Sequence, residues 1–130
     1  MLSPPIPDLD AALVTFLDNH ADLIPLHGGR VSTHVLDSPL PRLRVTSLGG
    51  TQPWPWEATA EYQIDAWGGT EAQAYVLAST VCAAIYDMRG PITGGRIVTA
   101  EPSLRPISAP DEDTGRPRYL VQILLTAFPT

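Results

Sequence analysis

Residues 71–88, EAQAYVLASTVCAAIYDM, read as a helix with almost no solvent side. At about 100° per residue, Ala74, Leu77, Ala78, Val81, Ile85 and Met88 form one broad apolar face. Tyr75, Ser79, Cys82 and Tyr86 form a second face of rings and small groups, and the polar stripe between the two is only Gln73, Thr80 and Asp87. A helix that is apolar nearly all round is buried nearly all round. In a chain of 130 residues, which holds one core and not two, two things could cover the second face: the other helix, or a neighbouring subunit. The segment points towards an oligomer.

The remaining pattern predicts an α+β fold, with one mostly antiparallel sheet of about five strands packed by two helices. Residues 1–7, with prolines at 4, 5 and 7, read as a flexible arm ahead of a single domain over 8–130. A first helix over 8–19 carries Leu9, Ala12, Leu13, Phe16 and Leu17 as a one-sided stripe, with Asp8 as N-cap. Pro25 bars further helix, and Gly28-Gly29 turns the chain. Strands are expected over 30–36, 42–48, 57–67, 96–101 and 118–127. The third alternates, with Ala58, Ala60, Tyr62, Ile64 and Ala66 on one face and Thr59, Glu61, Gln63 and Asp65 on the other. The last is nearly continuous in apolar residues, which predicts a central strand covered on both faces. Residues 51–56 and 102–115 read as loops, the second one projecting. Thr70 with Gln73 forms a capping box for the 71–88 helix, and Gly90-Pro91 ends it.

Candidate chemistry is sparse. Lysine is absent, all eight cations being arginine, so Schiff-base chemistry, pyridoxal-phosphate anchoring and a P-loop are excluded. Cys82 lies mid-helix among apolar residues and reads as a buried, inert thiol. His20, His27 and His34 are spaced by seven, but Pro25 and Gly28-Gly29 break any helix that would stack them, so no metal site is expected. Asp111, Glu112 and Asp113 lack the alternating spacing of a calcium loop and read as a solvated tip or an acidic contact for arginines of a neighbour. Neither a nucleophile elbow nor a Cys–His arrangement appears, and no cofactor is expected. The N-terminal residues lack the basic and apolar segments of a secretory signal, and no apolar run is long enough for a membrane span.

Formal net charge is −6 with dispersed arginines, the opposite of the cationic footprint that grips nucleic acid. Trp54 and Trp56 stand between prolines, a rigid pair that either contacts a partner subunit or folds back onto the sheet.

The order of a helix, a Gly-Gly-Arg strand, a hairpin, then QIDAWGGTEAQAYVLASTVCAAIYDMRG and PDEDTGRPRYLVQILLTAFP resembles the tail terminator proteins of long-tailed (siphovirus-type) phages, especially those of actinobacteria. The resemblance spans about residues 8–129. It implies a virion structural protein rather than an enzyme, forming a homo-oligomeric, hexameric ring on the head-proximal end of the tail. Such a ring stops polymerisation of the tail tube protein and offers a surface to the head connector or neck protein, after assembly in the host cytoplasm. Double-stranded DNA passes through without specific binding, and no membrane is involved. Candidate subunit or partner contacts, chosen from the residues and not carried over by motif, are Trp54, Trp56, Tyr75, Tyr86, Asp111, Glu112 and Asp113; Glu61 and Asp65 are candidates for the channel lining. Another neck protein, the tube protein itself, or a small α+β enzyme or ligand-binding domain are the alternatives.

Overall fold

The computed structural model describes residues 7–34, 39–54 and 57–129, with residues 53 and 54 described by backbone alone. The order is α1 (Leu9–Asn19), α2 (Ile24–His27), β1 (Val31–Ser32), β2 (Arg42–Trp54), β3 (Glu57–Trp67), α3 (Glu71–Ala84), a 3-10 turn (Ile85–Met88), β4 (Gly90–Ile92), β5 (Gly95–Ser108) and β6 (Arg118–Pro129). The strands form one sheet in the order β1-β2-β3-β6-β5-β4, antiparallel except for the short β1–β2 pair. This is the expected α+β architecture, with a sixth strand and a third, one-turn helix added.

Local chemistry sets the helix ends. Asp8 caps α1 by accepting from Ala11 N at 3.0 Å, and the Leu9–Leu13–Leu17 stripe enters the core. Pro25 does not stop helix formation; it opens α2 in its first turn, where a missing N–H costs nothing. His27 then joins α2 to α1: its Nε2 donates to Leu17 O at 2.8 Å, while Nδ1 accepts from Gly29 N at 2.9 Å. At α3, Thr70 Oγ1 accepts from Gln73 N at 3.1 Å, and Gln73 Oε1 accepts from Gly69 N at 2.9 Å, one residue before the expected box partner. The predicted 71–88 helix tightens to 3-10 geometry in its last turn, which sets Ile85 and Met88 together on the core side.

α1 and α3 cover one face of the sheet. Leu77, Val81 and Ile85 from α3, Leu13 and Leu17 from α1, and Tyr62, Ile64, Val121, Ile123 and Leu125 from the sheet are buried together. At about 1.5–3 kcal/mol for each large apolar side chain buried, this layer supplies the main stabilisation of the fold.

Three expectations about the strands are corrected. β2 continues past residue 48 to Trp54, taking in residues 51–54 of the segment 51–56 that reads as a loop, with a bulge between Ser47 and Gly49 accommodating the glycines. Gly50 lies so close to β3 that a Cβ there would be 1.9 Å from Thr59 O, so only glycine fits. β5 runs on to Ser108 despite Pro102 and Pro106, since β4 pairs only with residues 95–97 and leaves the remaining edge unpaired by β4. β6 is central, between β3 and β5, but only one of its faces is covered. Val121, Ile123, Leu125 and Ala127 are buried beneath the helices, while Leu120, Leu124 and Phe128 on the other face are half-buried. Among the described residues, helices lie on one side of the sheet only.

Candidate functional site

The helix apolar on two faces uses one of them within the chain. α1 packs towards the β1–β2 end of the sheet and leaves the outer side of α3 in solvent. Tyr75, Val76 and Tyr86 are 51%, 48% and 50% exposed. With Ala72 and Ala83, also exposed, they form one stripe at helical spacing. Tyr75 is steadied by an edge-on contact with Tyr119, ring centroids 5.4 Å apart. The two tyrosines chosen from sequence therefore share one accessible surface, and Val76, missed there, lies between them.

The open face of the sheet is the second accessible surface. Register places Glu61, Leu124 and Glu101 side by side across β3, β6 and β5, and Arg96 beside Phe128 at one end. Glu61 is exposed. Asp65 is 2% exposed and accepts from Gln63 Nε2 at 2.9 Å. Of the two acids read as candidates for a channel lining, Glu61 is accessible and Asp65 is withdrawn from solvent.

At the far end of that face the strands tie a knot that sequence reading missed. Trp67, 2% exposed, lies between the Arg42 guanidinium at 4.7 Å from its ring and that of Arg118 at 5.6 Å. The signal was present: both arginines open strands that pair in register with the last residue of β3. The indole Nε1 donates to Asp111 Oδ2 at 3.4 Å, and Arg118 Nε donates to Ala109 O at 2.8 Å. The 109–117 turn is thereby drawn onto the sheet end instead of projecting. Asp111 Oδ1 accepts from Asp113 N at 2.9 Å. That backbone hydrogen bond, followed by the indole, lowers the Asp111 carboxyl below its ordinary value. Glu112 and Asp113 remain exposed. Trp54 ends β2 with its backbone in register with Glu57, its side chain lying outside the description, and Trp56 lies outside the described residues.

Two groups with nucleophilic potential are shifted towards their protonated forms. Burial raises the Cys82 thiol, which disfavours the thiolate. Burial, and then its hydrogen bond to Asp10, raises the Tyr62 hydroxyl. His20 Nε2 meets Asp87 Oδ2 at 2.9 Å at the end of α1. Among the described residues no group of three or more His, Cys, Asp or Glu is placed to hold a metal. No helix there is long and apolar enough to cross a membrane. A groove of about 690 Å³ lies between α1 and β4 and is walled by Ala12, Phe16, Met88, Pro91 and Ile92.

Neither family models nor curated protein sequences match this chain. A solved structure is similar to it: a chain in the virion of a native gene transfer agent (GTA) particle, with a TM-score of 0.71 and 21% identity over 92% of this chain and 94% of that one. The two chains share a fold almost from end to end.

Proposed function

We propose that this chain is a structural protein of a phage-like virion and, within it, the ring-forming tail terminator, sitting at the head-proximal end between tail tube and neck. The observation that carries this reading is the end-to-end likeness to a chain of a virion particle. Among the described residues, the exposed Tyr75–Val76–Tyr86 stripe on α3, with half-buried Leu120, Leu124 and Phe128 on the other side of the sheet, supports an assembly role. The tail-terminator assignment within that class rests on the sequence resemblance.

Contacts between subunits fall to the Tyr75–Tyr86 stripe and to the Trp54–Trp56 tip. Glu61 shares the open sheet face with the apolar row of β6, so that face is read as a contact surface. The exposed Glu112 and Asp113 then supply the acidic lining. A charge of −6 per subunit, repeated around a ring, gives a field that repels phosphate.

Electron microscopy and native mass spectrometry of the purified protein test the assignment. A closed ring of about six subunits that halts elongation of polymerising tube protein is expected; a monomer at working concentration overturns it. Double-stranded DNA is expected to show no mobility shift at moderate salt. Changing Trp54 and Trp56 together to Ala is expected to weaken the ring in sedimentation while circular dichroism is unchanged.

A further inference from the structure

Pro7, read from sequence as the last residue of a flexible arm, is buried. It precedes the Asp8 cap of α1, and Ala12 stands four residues beyond that cap. An apolar contact between these two positions fixes the angle at which a chain enters a helix. Both residues line the groove between α1 and β4. A Cβ on Gly95 would lie 2.9 Å from Pro7 Cγ and 2.2 Å from Phe128 O, so glycine at 95 makes room for the proline and for β6 alike. The residues ahead of Pro7 therefore depart from the wall of the groove.

The groove runs from Pro7 beside Gly94 to Phe16, near which His20 Nε2 meets Asp87 Oδ2. Phe16 and Ile92 on its walls are half-buried, and Pro91 is exposed. Residues 1–6, Met-Leu-Ser-Pro-Pro-Ile, lie outside the described residues, and five of the six side chains are apolar and none is charged. Asp8, Asp87 and Arg89 also line the groove, and an uncharged segment needs no partner among them. Length fits as well. Six residues span about 19 Å as polyproline II, the conformation that Pro4-Pro5 favours. From Asp8 to Phe16 is eight residues, about 12 Å along α1. Proline-rich segments suit grooves with an aromatic wall because they have little conformational entropy left to lose. Tethered at the groove wall, the arm of the same chain is present at an effective concentration on the order of millimolar, which favours it over the arm of another chain.

We propose that residues 1–6 fold back along α1 and fill the α1–β4 groove of their own chain, with Ile6 towards Ile92 and Leu2 reaching Phe16. A groove filled in this way is closed to small molecules, which tells against the ligand-binding alternative.

Nuclear Overhauser contacts in the full chain, with Ile and Leu methyls and Phe rings labelled, test this. Phe16 and Phe128 are the two phenylalanines, so Phe128→Leu identifies the Phe16 ring and Leu2→Ala the Leu2 methyls. A contact between the two is expected when both labels are on one chain. It is expected to vanish when methyl-labelled and ring-labelled chains are folded together from denaturant. Replacing Leu2 and Ile6 together by Asp is expected to open the groove and raise the fluorescence of an apolar-surface dye about threefold or more, with circular dichroism unchanged. Absence of the contact overturns the proposal. So does a contact between differently labelled chains, which would put a neighbour's arm in the groove, or dye fluorescence that does not change. The contact lies within one chain and is expected of monomer and ring alike, so its failure leaves the ring reading untouched.

Discussion

Adjacent residues on α3 and on β6 experience opposite surroundings. Val81 is sealed among Leu77, Ile85 and the sheet, whereas Val76, five residues earlier, is half in water. Leu125 is fully buried under the helices, and Leu124 beside it is half-buried on the open face. The side chains are of one type in each pair, so hydrophobicity alone does not tell them apart. What differs is whether the same chain supplies a cover. On the covered side apolar residues stabilise the monomer; on the other they keep part of their contact with water.

The largest contrast should come from charge. Val81→Asp places an unpaired carboxylate in the core, costs about 4 kcal/mol or more, and should leave no soluble folded protein. Val76→Asp should change monomer stability by no more than about 0.5 kcal/mol. Equal effects in urea unfolding would mean that the two faces of α3 have been confused. The next contrast lies on β6: Leu125→Ala should cost about 2–5 kcal/mol and Leu124→Ala about 1 kcal/mol, measured at concentrations where the chain is monomeric.

Smaller effects separate the polar groups on the two sides. On the covered side, the Tyr62 hydroxyl is raised above its ordinary value of 10.0 by burial and by Asp10. The folded chain therefore favours the protonated phenol, while the unfolded chain ionises as pH rises past about 10, so stability should fall from there upward. Tyr62→Phe should flatten that alkaline loss in a thermal-melt series; an unchanged slope would assign it to other groups. On the open side, the Asp111 carboxyl is lowered, by the Asp113 backbone N–H first and by Trp67 next. Its contribution is present above the ordinary carboxylate value of 3.8 and is lost as pH falls through the depressed value. Asp111→Asn should remove only this slight acid-side slope.

Local signals carried much of the fold. Caps at Asp8 and Thr70, the leucine stripe of α1 and the alternation of β3 all act within a few residues, and the structure places them as read. The misreadings cluster where glycine and proline stand inside strands. Gly49-Gly50 in β2 and Pro102 and Pro106 in β5 look like loop chemistry until a bulge and an unpaired edge accommodate them. The Trp67 knot escaped notice for another reason: Arg42, Trp67, Asp111 and Arg118 are brought together only by strand register.

The sequence by itself determined that the 71–88 helix is apolar nearly all round and that the last strand is nearly continuous in apolar residues, because periodicity and composition are local quantities. It also excluded lysine chemistry and made a DNA-gripping surface improbable on charge. Only the tertiary structure decided which face of each element the chain covers for itself. That choice depends on where α1 comes to rest. Leu9, Leu13 and Leu17 take it down onto the sheet beside α3 and not over it. The outer face of α3 is consequently left to solvent, and to whatever binds there, by the packing of a helix more than fifty residues away in sequence.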